Sequence, residues 1–89
     1  MKAVVTVVGK DTVGILSKIS TVCAENQMNV VEVSQSILQD MFCMIMLGDI
    51  NDMNISFDEF AEKLKTMGEE MNMDIHCMHE DIFNSMHRI

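Results

Sequence analysis

The residues best suited to chemistry in this chain are sulfur and nitrogen donors. HCMH spans residues 76–79, Cys23 and Cys43 add two more thiols, and the 11 methionines include a crowd at Met41, Met44 and Met46. Imidazole and thiolate are ligands for zinc or copper, and thioethers bind Cu(I). The spacing argues against a shared ion. On a strand, Cys77 and His79 point away from His76 and Met78, so at most two of the four could meet one metal. Methionine is also an adaptable filler of cores, and Met67 and Met71 fall in a helical apolar stripe, so the thioethers read as packing. Neither a Ser/His/Asp set nor a carboxylate pair is legible. Asp49, Asp52, Asp58 and Glu59 lie where a loop gives way to a helix start, a place that favours acids for electrostatic reasons. The sequence therefore predicts no metal, no cofactor and no catalytic apparatus.

A second stretch, GKDTVGIL at residues 9–16, runs from an apolar strand through two glycines into a helix. Such a loop often holds a ligand, and several ligands can be struck out. A phosphate cradle of the acylphosphatase kind needs a cation here, whereas the stretch has no Arg and carries Asp11. A Cu(I) carrier would need thiolates in this loop, which has none. An RNA-binding sheet would need exposed aromatics on its middle strands, and only Phe42 could serve.

The elements that position these residues follow from periodicity. Ala3 to Val8 is rich in Val and Thr and reads as a strand. Ile15, Leu16, Ile19, Val22 and Cys23 recur at helical spacing, with Asp11 or Thr12 placed to cap and an end near Asn26. MNVVEVSQSIL (28–38) returns to a period of two, Gln39 and Asp40 interrupt it, and MFCMIMLGDI resumes it: two strands and a tight turn. SFDE at 56–59 is a capping box, and Phe57, Phe60, Ala61, Leu64, Met67 and Met71 mark the buried face of the helix that follows. Asn72 ends that helix, and MDIHCM makes a last strand over about 73–78. The order is βαββαβ. Two right-handed crossovers then give an α+β, ferredoxin-like sandwich, a four-stranded antiparallel sheet with two helices on one face. Residues 80–89 remain as a C-terminal tail, with Ile82, Phe83 and Met86 on one side of a short helical pattern.

Composition bounds the function. At 89 residues the chain holds one modest core, in a size range where dimerisation often adds burial. Its net charge of -8, with no basic cluster, repels phosphate backbones and excludes nucleic acid as a partner. The start MKAVVTVVG has neither the length of a membrane span nor the pattern of a signal peptide. Three widely separated cysteines suit reduced thiols. A cytoplasmic protein without a membrane contact is expected.

VVGKDTVGILSKISTVCAENQMNVVEVSQ resembles the start of ACT domains, small ligand-sensing modules of amino-acid metabolism. In that family the first strand ends in a loop of the form D/N-x-P-G-V/I-L, and the first helix is followed by an N-I/V step into the second strand. Asp11, Thr12, Val13, Gly14, Ile15 and Leu16 stand at the loop positions, with Val13 in place of the usual proline, and Asn29 and Val30 form the step. The resemblance covers about residues 2–79, and the compact form is similar to the stand-alone ACT proteins of bacteria and archaea. It implies a non-catalytic regulatory module that binds a small ligand, an amino acid, at a homodimer interface and acts on a metabolic enzyme or regulator. The ligand carboxylate would meet the N–H groups of Val13, Gly14 and Ile15, its amino group Asp11, and Asn29 would reach in from the facing subunit. The alternative is an interaction or dimerisation module with no small-molecule ligand.

The homodimer expectation has its own physical ground. VVEVSQSIL is an edge strand in this topology, yet it has no proline and only Glu32 as a charged blocker, so a twofold-related copy could lie beside it.

Overall fold

The Val/Thr run KAVVTVVGK forms β1 (Lys2–Lys10), and the helical pattern after Gly14 forms α1 (Ile15–Glu25). The two period-two stretches become β2 (Asn29–Leu38) and β3 (Met41–Asp49), and the capping box opens α2 (Phe57–Met71). Then come β4 (Met73–His79) and a short α3 (Glu80–Met86) within the tail. The computed structural model describes residues 1–10 and 14–86.

The strands make one antiparallel sheet in the order β2-β3-β1-β4. The expected α+β, ferredoxin-like sandwich is the fold of the chain. Its register sorts side chains by face: Val5 lies between Met46 and Cys77, and Val7 between Met44 and Ile75. These residues pack with Ile15, Ile19 and Cys23 of α1 and Phe60 and Leu64 of α2 in a single core. Both long helices therefore cover the same side, the inner face. Their burial of apolar surface is the main stabilising term of the domain.

Local chemistry explains where α2 begins and ends. Ser56 Oγ accepts from the Glu59 N–H at 3.1 Å, and Asp58 and Glu59 favour the positive end of the helix. The Glu59 carboxylate does not reach back to the Ser56 backbone as a full capping box would; it accepts from the Ser56 hydroxyl at 3.4 Å. Asn72 stops the helix in the left-handed conformation with φ 57°, which a short amide side chain tolerates. The end of α1 is tied down separately. Asn26, a buried polar residue, donates from Nδ2 to the Val22 carbonyl at 2.8 Å and accepts from Lys63 Nζ at 3.4 Å.

Several apolar residues of the sequence pattern lie outside the core. Leu16 and Met41 are exposed, the first because Ile15, Ile19 and Cys23 define the buried stripe, the second because strand alternation turns it to the outer face beside Phe42. That outer face is half covered. Val4 points away from α1 and α2 yet is only 3% exposed, and α3 packs against β1 and β4, the strands that carry Val4 and Met78.

Candidate functional site

The loop glycine has the conformation its position requires. Gly14 sits at φ 84° and ψ 4°, a left-handed geometry that side chains resist, and immediately precedes α1. Its carbonyl accepts from Lys18 N–H at 3.0 Å, closing the first helical turn. No Cβ contact would arise within 4 Å, so the space beside Gly14 is open. A glycine has no side chain with which to cap, and the first N–H groups of a helix have no intrahelical carbonyl to meet. Open space beside backbone donors is what an incoming carboxylate needs. Asp11, Thr12 and Val13 lie outside the described residues.

The Ile15 side chain is buried in the core, which leaves only its backbone for a ligand to meet. Asn29 and Val30 open β2, where they lie opposite Asp49 and Gly48. Both are exposed. The register separates them from Gly14: Lys10, which closes β1 on the loop side, aligns with Met41 and through it with Leu38, while Lys2 aligns with Asp49 and Asn29. Gly14 and Asn29 thus stand at opposite ends of α1, about 16 Å of helix apart. A single chain does not bring them together.

The second strand has a feature that the sequence reading passed over. The ladder with β3 slips between Val30 and Glu32, leaving Val31 as the extra residue of a bulge. Two valines followed by Glu and Val break strict alternation, and that was the available signal. All ten residues of β2 are exposed. On its inner side Val33 and Ile37 are 43% and 58% accessible, so the buried core stops short of this edge strand.

The sulfur-rich positions resolve differently. Cys77 and His79 lie on the inner side and His76 on the outer, as strand alternation requires, and exposed His76 instead pairs with Asp74 at 3.0 Å. His79 stacks on Phe57, ring centroids 4.1 Å apart. The buried Cys23 thiol lies 3.8 Å from Met46 Sδ. Burial pushes the Cys23 thiol up to about 11. Burial, with a smaller contribution from Cys23, pushes Cys77 up to about 12. Both remain neutral thiols at physiological pH, poor nucleophiles and poor metal ligands. Among the described residues no three His, Cys, Asp or Glu side chains gather as a metal site.

A depression of about 410 Å³ on α2 is lined by Glu59, Glu62, Lys63, Thr66, Met67 and Glu70. Three carboxylates against one ammonium make it a poor seat for an anionic group. Among the described residues no helix is long and apolar enough to cross a membrane.

Residues 2–78 match the family model of the ACT domain. A UPF0237 protein of Methanopyrus kandleri is 42% identical over 88 residues, covering 99% of this chain and 98% of that one. Among solved structures, an ACT domain protein from Streptococcus pneumoniae superposes with a TM-score of 0.80 at 32% identity, covering 93% of each chain. A formyltetrahydrofolate deformylase from Pseudomonas syringae shares the fold with a TM-score of 0.79 at 23% identity, over 88% of this chain and 27% of that enzyme.

Proposed function

The chain belongs to the ACT domain family, and from that membership we propose that it binds an amino acid at a site shared between two copies of itself. ACT domains are regulatory, ligand-binding modules, and a non-catalytic sensor is the corresponding role for this one. The observation that carries the shared site is the separation of Gly14 from Asn29 along α1. A copy whose β2 ran antiparallel to this chain's β2 would set its own Asn29 end beside this chain's Leu38, on the loop side of the sheet. Asn29 of one copy would then face the N–H groups near Gly14 of the other. The exposed inner valines and Ile37 of β2 would be covered in the same step, a stabilising burial.

In this arrangement the α-carboxylate meets the first N–H groups of α1, Asp11 accepts from the amino group, and Asn29 supplies an amide from across the interface. Thr12, Val13 and Val30 are the other residues we assign to this site by the family resemblance. Three free cysteines are in keeping with a cytoplasmic setting, and a metabolic enzyme or regulator would receive the signal.

A thermal-shift screen of the amino acids tests the reading, since a ligand that binds only the folded dimer raises its melting temperature. Asn29→Ala should then weaken the active amino acid by about 1–3 kcal/mol, the usual loss when a polar partner is removed. Unchanged affinity would move the site away from β2. A second reading, a dimerisation module with no small ligand, is favoured by the bare β2 alone; it predicts a dimer whose melting temperature no amino acid shifts.

A further inference from the structure

Strand parity and helical phase place four aliphatic side chains around the shared site. Residues directly opposite each other on paired strands point to one face. Ile37, opposite buried Phe42, and Val30, opposite Gly48, therefore both lie on the inner side of β2, Ile37 at the loop end and Val30 at the other. The bulge leaves Val31 beside Val30. On α1 each residue advances by about 100°, which puts Leu16 and Cys23 on one flank of the buried stripe and Asn26 on the other. Cys23 reaches Met46 of β3, the neighbour of β2, whereas Asn26 reaches Lys63 of α2. Leu16 thus leans toward β2 in the helical turn that follows Gly14. Leu16, Ile37, Val30 and Val31 are all exposed in the single chain.

Resting on the shared-site reading above, we infer that the amino acid bound there carries an aliphatic side chain, of the valine, leucine or isoleucine kind. With two β2 strands antiparallel, the partner's Val30 and the partner's Val31 arrive at the loop end of this chain's β2, next to Ile37 and Leu16. Once the ligand carboxylate is on the first N–H groups of α1, its side chain is bounded by these four aliphatic groups. Charge is directed elsewhere. Lys10, Glu32 and Asp49 alternate to the outer face, opposite Met41, Leu47 and Asn29, and Asp40 lies in the turn beyond the strand end. The two charges of α1, Lys18 and Glu25, stand about 160–180° round the helix from Leu16. Gln35, the polar position on the inner side of β2, is two residues further from the loop, about 7 Å along the strand. An ammonium or carboxylate on the ligand's side chain would lose water here without gaining a partner, which is costly. Each added methylene instead gains burial.

The test is thermal shift and isothermal titration of the intact protein against valine, leucine, isoleucine, alanine, glycine, serine, aspartate and lysine. Leucine should raise the melting temperature and bind about tenfold or more tightly than alanine, the worth of its extra buried methylenes. Leu16→Ser and Ile37→Ser, both at exposed positions, should each cut that preference by about threefold or more, and Leu16→Ile should keep it. The preference is a ratio of affinities, so a weaker dimer, which lowers both alike, leaves it unchanged. If no amino acid of the panel raises the melting temperature, the shared-site reading falls and this inference with it. If one does, but serine, aspartate or lysine binds as tightly as leucine, the shared site stands and the aliphatic assignment is overturned. A preference for leucine that survives both serine variants overturns it equally.

Discussion

Gly68 in α2 faces the main chain of β4: a Cβ built on it would lie 2.8 Å from the Met73 carbonyl oxygen and 3.0 Å from Cγ1 of Ile75. This close approach is how the long helix settles onto the edge of the sheet. Two effects of opposite sign meet at Gly68→Ala. Alanine is the better helix former by about 1 kcal/mol, but a backbone oxygen cannot turn aside as a side chain can. The clash should win, with a net destabilisation of about 1–3 kcal/mol in urea unfolding.

Gln27 and Gln39 carry φ values of 61° and 60°, left-handed conformations with a full side chain. Gln27 follows the last turn of α1, and Gln39 begins the β2–β3 turn. Each substitution to glycine removes a steric cost of about 1–2 kcal/mol and restores some chain entropy to the unfolded state. Gln27→Gly and Gln39→Gly should therefore each raise the melting temperature, by a net stabilisation of about 0.5–1 kcal/mol.

The Asn26 amide joins the end of α1 to α2 through Val22 and Lys63. Asn26→Ala leaves Lys63 without this acceptor and opens a small space in a buried position, and should cost about 1–3 kcal/mol. Lys63→Met takes the donor from Asn26 Oδ1, but that contact is long at 3.4 Å and the bond from Asn26 to Val22 remains, so it should cost less than Asn26→Ala. Chemical denaturation of the two variants separates these outcomes.

The raised thiols fix the sign of an alkaline effect. Above pH 9, the ordinary value, the unfolded chain loses the Cys23 and Cys77 protons, while the folded chain keeps them until about 11 and about 12. The native state then binds more protons, so stability is full below pH 9 and falls as pH rises toward 11–12. Cys77→Ala should make that decline shallower, read from urea midpoints collected across the same pH range.

Much of the fold was legible because its periodicities are clean. Ile15, Ile19 and Cys23 mark one helical stripe, Val5 and Val7 one strand face, and SFDE and Asn72 the two ends of α2. Burial could not be read as well. Nothing in NVVEVSQSIL announces that its inner side is bare, since that depends on how far α1 and α2 reach across the sheet. Gly14 was readable as a left-handed glycine from its place between a strand and a helix, whereas its separation from Asn29 emerges only once register sets which strand ends align. The bulge at Val31 was half visible, as a doublet of valines that strict alternation does not accommodate.

That doublet also limits growth. With one residue too many, β2 changes phase between its first two positions and the run from Glu32 to Leu38. A neighbouring strand can match side-chain faces along the longer run or along the shorter one, but a straight strand cannot match both. An antiparallel twin avoids the conflict by placing the two phase slips at opposite ends of the seam. A ribbon of chains stacked without end would need a compensating kink at every added rung. The extra valine thus gives a valine-rich, exposed strand with Glu32 as its one charge a geometric stop against fibre growth, without a proline or a dense row of lysines.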